Sequence, residues 1–240
     1  MLYELFVDST VTCVSRAEMK PNATVTKLFS TNIRAPDRLA VDWIYNHIYW
    51  ADTDKNTIEV VDLATKMHKT IIDTMLDEPR GIALNPLDGW MIWSDWGDVA
   101  KIEKSGMDGS HRQTIITENL MWPNGITIDF VTKRIYWVDA KLHLLASADY
   151  DGGNNRIVHT SFTDFKHPYS VDIFERQPDN VVQDFVYWSD WGTESILKVN
   201  KFSGKELKRV VEGVSNLMEV RVFHQYKQPN GKLTCELTSK

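Results

Sequence analysis

Short apolar runs separated by turn residues organise this chain. The first complete set falls at 38–43, 47–53, 57–63 and 68–73, with Asp54, Asp77 and Pro79 among the residues between and after the runs. Runs of this length, bounded by Asp, Gly and Pro, predict β-strands. The pattern then repeats. Tyr49-Trp50-Ala51-Asp52 returns as Ile92-Trp93-Ser94-Asp95, Tyr136-Trp137-Val138-Asp139 and Tyr187-Trp188-Ser189-Asp190, at tryptophan steps of 43, 44 and 51 residues. A second landmark keeps step: Pro36-Asp-Arg-Leu-Ala-Val-Asp42 recurs as Pro79-Arg-Gly-Ile-Ala-Leu-Asn85, Pro123-Asn-Gly-Ile-Thr-Ile-Asp129 and Pro168-Tyr-Ser-Val-Asp-Ile-Phe174. A period of this size marks a repeat fold whose units bury their apolar faces only against one another. Four short strands per period predict an all-β propeller built of four-stranded blades.

The ends of the chain continue the pattern incompletely. Leu5-Phe6-Val7-Asp8 occupies the tetrad position without a first strand before it, and 218–223 reads as a first strand with no tetrad after it. This gives three strands, four full sets and one strand more, about five blades. Pairing of 218–223 with the N-terminal three would complete the fifth blade and remove an open edge. The longer last step has a local cause, the polar insertion Arg176-Gln-Pro-Asp-Asn-Val-Val-Gln183, expected to be a surface excursion.

Composition narrows the function classes. With 42% hydrophobic residues in 240, the chain can bury one large core. The net charge of −6, from 27 basic and 33 acidic side chains, argues against nucleic acid as a partner. No stretch reaches the ~20 apolar residues of a membrane-spanning helix, and the N-terminus lacks the form of a signal peptide. Asn22-Ala23-Thr24 is a glycosylation sequon, meaningful in a secreted context.

The repeated carboxylates Asp52, Asp95, Asp139 and Asp190 invite a catalytic or metal-binding reading, but an active centre needs different groups in different roles. Recurrence once per blade instead predicts structural hydrogen bonding, and no catalytic residue, metal ligand or cofactor site is assigned. Trp50, Trp93, Trp137 and Trp188 are read as core wedges between sheets. Trp96 and Trp191 stand where a strand ends, as contact residues or as turn packing. Trp122 differs, because its counterparts Glu78 and His167 are not tryptophan. It is the candidate contact residue, the alternative being a ring folded over its own turn. Cys13 lies in a strand-like run and is read as a buried free thiol, which leaves Cys235 without its normal partner.

The tetrads, the period, the run Trp122-Pro-Asn-Gly-Ile-Thr-Ile-Asp129 followed by Arg134-Ile-Tyr-Trp-Val-Asp-Ala-Lys-Leu-His143, and Ser94-Asp-Trp-Gly-Asp-Val-Ala-Lys-Ile-Glu-Lys-Ser-Gly-Met107 closely resemble the YWTD propeller of the low-density lipoprotein receptor family. Its very-low-density lipoprotein and vitellogenin receptor branches are nearest. Family propellers have six blades, so the resemblance implies a fragment: residues 1–228 as a propeller lacking one N-terminal blade, and 229–240 as the start of a truncated EGF-like module. It also implies an endocytic receptor context, on the extracellular side of the plasma membrane and in endosomes, with lipoprotein or vitellogenin bound through the full-length receptor.

By the same resemblance, His143 and His167 correspond to acid-sensing histidines, with Lys141 alongside. Imidazole titrates near pH 6.5, so it is mostly neutral outside the cell and mostly charged in an endosome. Protonation would attract the receptor's own acidic ligand-binding repeats, Trp122 supplying apolar contact, and displace the bound lipoprotein. One position departs from the family pattern: Thr163 replaces a lysine, with Lys166 nearby. The other reading is a pH-insensitive propeller that recognises an extracellular protein or peptide on its face, leaning on Trp122 more than on the histidines.

Overall fold

The computed structural model describes residues 3–8, 13–18, 26–30, 32–174, 184–214 and 219–221. Nineteen strands and no helix appear among them. A three-stranded sheet of β1 (Tyr3–Asp8), β2 (Cys13–Glu18) and β3 (Thr26–Phe29) comes first. Four sheets of four follow: β4 (Pro36–Asp42), β5 (His47–Asp52), β6 (Thr57–Asp62) and β7 (His68–Ile72); then β8 (Pro79–Asn85), β9 (Trp90–Asp95), β10 (Lys101–Gly106) and β11 (Gln113–Ile116). The third of the four is β12 (Pro123–Asp129), β13 (Arg134–Asp139), β14 (Leu144–Asp149) and β15 (Arg156–Thr160); the last is β16 (Pro168–Phe174), β17 (Phe185–Asp190), β18 (Ser195–Asn200) and β19 (Lys208–Glu212). All are antiparallel meanders, as the tetrad spacing predicts.

In every four-stranded sheet the proline-headed strand is innermost and the tetrad strand second. Asp8 pairs with Cys13 as Asp52 pairs with Thr57, so β1 occupies the tetrad place and the first sheet starts one strand late. Of the predicted strand 218–223, only 219–221 are described. That segment lies against the innermost strands on either side: Val220 exchanges hydrogen bonds with the Ser170 hydroxyl, and Arg221 donates to the Leu39 carbonyl at 2.9 Å. The insertion 176–183, Asn22 and Cys235 lie outside the described residues, and only the strand position of Cys13 is described.

The apolar core is divided among the junctions between sheets. Trp50 packs with Ile33, Leu39 and Phe29; Trp93 with Tyr49 and Ile58; Trp137 with Ile92 and Ile102; Trp188 with Tyr136 and Leu145. All four indoles are fully buried. Each therefore fills the gap toward the preceding sheet with a large flat ring; the Nε1–H of Trp188 finds the Asp164 carbonyl, while those of Trp50, Trp93 and Trp137 are buried without a hydrogen-bond partner among the described residues.

Two irregularities recur in register. Each innermost strand slips just after its proline, between the first and third residues in β4, β12 and β16 and between the first and fourth in β8, and each third strand slips where it meets the fourth. Bulges of this kind turn a side chain out of the ladder at the rim of a sheet. In the innermost strands the residues turned out are Asp37, Arg80, Asn124 and Tyr169.

Two histidines on outer strands are engaged. His68 stacks on Trp50 at 5.0 Å and meets the buried Glu59 carboxylate at 2.6 Å, while the His159 ring contacts the Gly204 carbonyl at 2.8 Å. Strand position alone does not reveal this, because the buried acid that draws His68 inward lies on a neighbouring strand.

Candidate interaction face

The tetrad aspartates act locally on the backbone. Asp139 accepts from the N–H groups of Met121 and Trp122, which lead into β12, and from those of Lys141 and Leu142 in the following turn, at 2.8–3.1 Å. Asp190 does the same for His167 and Thr193, Asp52 for Arg34, Ala35 and Lys55, and Asp95 for Asp77. Asp52, Asp139 and Asp190 thus tie the linker from the previous sheet to the turn between the second and third strands, whereas Asp95 holds the linker alone, through Asp77. Linker and turn of every blade lie on one face of the propeller.

This coupling places the predicted contact residues. Because Asp139 holds both backbones, Lys141 Nζ stands 4.9 Å from the centre of the Trp122 ring, in cation–π range. Trp122 is 39% exposed and meets Trp96 edge-on at 5.4 Å, so its ring rests on another indole while part of it remains open to solvent. His143 sits at the end of the same turn as Lys141, with φ near +54°. Its Nδ1–H donates to the carbonyl of Phe165, two residues before His167 in the linker to β16. His167 is exposed, and its backbone N–H is held by Asp190 at 3.1 Å. Both histidines therefore touch one linker, His143 through a hydrogen bond and His167 as part of it. Asp190 has its carboxyl raised by burial, against which the N–H groups of Thr193 and His167 act.

A second set of groups joins this face to the propeller axis; of these, Trp96 and Trp191 are candidates from the sequence, while Arg80, Asp37 and Tyr169 are not foreseen from the pattern of the chain. The Arg80 guanidinium covers Trp96 at 3.9 Å and reaches Asp37 at 3.2 Å. Asp37 also accepts from the Tyr169 hydroxyl, and Arg38 lies over the Tyr169 ring at 3.7 Å while donating to its carbonyl at 2.7 Å. Trp191, 42% exposed, stacks on Tyr169 at 4.4 Å. Trp122, Trp96, Arg80, Asp37, Tyr169 and Trp191 thus form one continuous belt across four sheets. Burial pushes the Tyr169 phenol up to about 12, with Arg38 opposing and Asp37 adding to the rise, so it stays a donor at all working pH values. The signal for the belt was the second residue of each proline-headed strand, whose outward turn depends on a bulge that sequence periodicity does not display.

Among the described residues no group of three or more His, Cys, Asp or Glu is disposed to hold a metal ion, and no helix is long and apolar enough to cross a membrane.

Residues 90–130 match the low-density lipoprotein receptor repeat class B. The chain is 37% identical over 209 residues to the vitellogenin receptor Yl of Drosophila melanogaster, covering 87% of this chain and 10% of that protein. It is 34% identical over 225 residues to the vitellogenin receptor of Solenopsis invicta, covering 93% and 12%. The chain thus spans about a tenth of the length of these relatives. A solved structure of a nidogen/laminin complex contains a chain similar to this one, with a TM-score of 0.75 and 27% identity over 86% of this chain and 74% of that one. An auxiliary nutrient binding protein from Bacteroides thetaiotaomicron shares the fold alone, at a TM-score of 0.69 and 12% identity over 86% of this chain and 53% of that one.

Proposed function

The chain belongs to the low-density lipoprotein receptor family of YWTD β-propellers, and we propose that it is the extracellular module of a lipoprotein- or vitellogenin-type endocytic receptor that promotes ligand release on acidification. Its partners on this reading are the acidic ligand-binding repeats of the same receptor, with lipoprotein or vitellogenin bound through the full-length protein. The module is non-enzymatic. On this reading the propeller is assigned to residues 1–228 and an EGF-like module to 229–240. It works on the outer side of the plasma membrane and in endosomes, with Asn22 glycosylated.

The observation that carries this reading is the placement of Trp122, Lys141, His143 and His167 on one rim, along the third and fourth of the four-stranded sheets. An exposed indole beside a lysine offers area and charge together, and His143, with Nδ1–H committed to Phe165, takes its added proton on Nε2. At neutral pH the rim carries Lys141 and Lys166; on acidification two imidazolium charges join them. Modules on one chain meet at an effective concentration near ~1 mM, so a modest gain suffices to populate the contact.

The test is binding of this chain to acidic cysteine-rich ligand-binding repeats at pH 7.4 and 5.5. Two new surface ion pairs of about 0.3–1 kcal/mol each predict a roughly three- to thirty-fold gain at pH 5.5. The double substitution His143→Ala with His167→Ala should remove that gain. Equal affinity at both pH values, or an unaltered gain in the double variant, rules the reading out.

The aromatic and arginine belt favours a second reading, capture of an extracellular protein or peptide over the axis independently of pH. The similar chain comes from a nidogen/laminin complex. On this reading Trp191→Ala and Trp122→Ala weaken binding at both pH values, whereas the histidine substitutions do not.

A further inference from the structure

We propose that Phe162 is a contact residue of the acid-responsive rim, presented on a locked turn and coupled to the protonation of His143. This rests on the reading of the rim given above. Phe162 lies in the linker between β15 and β16 and is 78% exposed, among the most exposed large apolar side chains of the molecule. Such exposure in a loose loop means little, but this turn is closed from several sides. Ser161 N–H donates to the His143 carbonyl at 3.1 Å, and Phe165 N–H to the Ser161 carbonyl at 3.0 Å. The Asp164 carboxylate accepts from the Ser161 and Thr163 hydroxyls at 2.6 and 3.0 Å, and Arg209 approaches it at 3.4 Å. Below the turn, Phe165 is fully buried and stacks on Trp188 at 4.4 Å, and Trp188 Nε1–H donates to the Asp164 carbonyl at 3.2 Å. A large ring on so constrained a backbone loses little freedom when a partner covers it.

Its one ring neighbour among the described residues is His143, at 4.8 Å between centroids and tilted by 49°. An aryl face within about 6 Å of a cation favours the charged form, so Phe162 holds the imidazolium more firmly than the neutral ring. The charged groups on the surrounding elements are Asp139 and Lys141 on the turn of His143, Asp164, Lys166 and His167 on the linker, and Arg209 on β19. Burial would raise the Asp164 carboxyl, but the Ser161 and Thr163 hydroxyls and Arg209 outweigh it and hold it below the ordinary range. It therefore stays ionised and paired with Arg209 under endosomal conditions. What the rim leaves unneutralised is two lysines and two histidines around two exposed aromatic rings, Trp122 and Phe162. The partner that fits is an acidic segment carrying an apolar side chain beside its carboxylates.

Two measurements on the full chain test this separately. NMR titration of the His143 ring should give a midpoint lower by about 0.4–0.7 pH unit in Phe162→Leu, with Phe162→Tyr restoring it; an unchanged midpoint in Phe162→Leu overturns the coupling. Binding to an acidic cysteine-rich repeat at pH 5.5 should weaken about fivefold or more in Phe162→Ala. If the histidine variants abolish the acid-dependent gain but Phe162→Ala binds like the unaltered chain, the contact role is refuted and the rim reading stands. A chain with no acid-dependent gain removes the rim reading and the contact role together, and the titration still decides the coupling.

Discussion

Asp95 and Asp139 hold the same place in their blades but have different surroundings. Four backbone N–H groups converge on Asp139, whereas Asp95 accepts from the N–H of Asp77 and has Lys101 at 3.6 Å. Burial lifts the Asp95 carboxyl to about 6; Asp77 N–H and Lys101 oppose the rise, while the negative charges of Glu103 and Asp77 add to it. Because this lies above the ordinary 3.8, the folded chain binds the proton more tightly than the unfolded one. Its stabilising contribution is complete below about 3.8, declines with rising pH and is lost above about 6. Chemical denaturation of Asp95→Asn alongside the unaltered chain should show their difference moving in favour of the latter on acidification. The slope should approach ~1.4 kcal/mol per pH unit between about pH 6 and 4. A pH-independent difference would refute it. The four aspartates are legible in the sequence as a set; that one of them titrates near endosomal pH is not, since it follows from how many donors the surrounding loops supply.

Neighbouring innermost strands approach closely because glycine stands third in two of them. A Cβ on Gly125 would come within 2.9 Å of Ser170 Cα and of the Tyr169 carbonyl, and one on Gly81 within 2.7 Å of the Asn124 carbonyl. These are backbone atoms and cannot swing aside. Gly125→Ala is therefore expected to cost about 1–3 kcal/mol in urea denaturation, through the strain of an overpacked site; a loss below about 0.5 kcal/mol would mean that the sheets can slide apart. At the same scale the third strands of the first two four-stranded sheets bury Glu59 and Glu103. Glu103 binds Arg112, which donates to the Thr74 and Met75 carbonyls of the linker from the preceding sheet. Sequence patterning would assign an acid within a strand to solvent. Its burial depends on a basic side chain from the turn that leads into the adjacent strand, and that pairing is fixed only by how the two strands meet.

Across the whole molecule the innermost strands follow one another around the axis from β4 through β8 and β12 to β16. Residues 219–221 then stand between β16 and β4, through Val220 to Ser170 and Arg221 to Leu39. Arg38 adds a direct link from β4 to the Tyr169 carbonyl of β16. Closure of this circuit spares those strands an open edge. Arg221→Ala should lower stability by about 1 kcal/mol, since a charge-assisted hydrogen bond is lost at a half-exposed site. Amide exchange should quicken in β4 and β16 before it does in β8 and β12. Equal protection in all four strands would show that the circuit does not depend on this contact.

The sequence by itself determined the repeat, the strand order within each blade, the buried tryptophans and the family, because every blade meets the same local requirements and writes them at a constant period. It also pointed to Trp122, Lys141, His143 and His167, through their departure from the repeat or through resemblance. The tertiary structure alone decided what stands beside them. The belt from Trp96 through Arg80, Asp37 and Tyr169 to Trp191, the contact of His143 with Phe162, and the burial of Glu59 and Glu103 all join residues on different strands, turns or linkers. Bulges, linker paths and the closeness of neighbouring sheets set such meetings, and these depend on how repeats pack together, which no single period encodes.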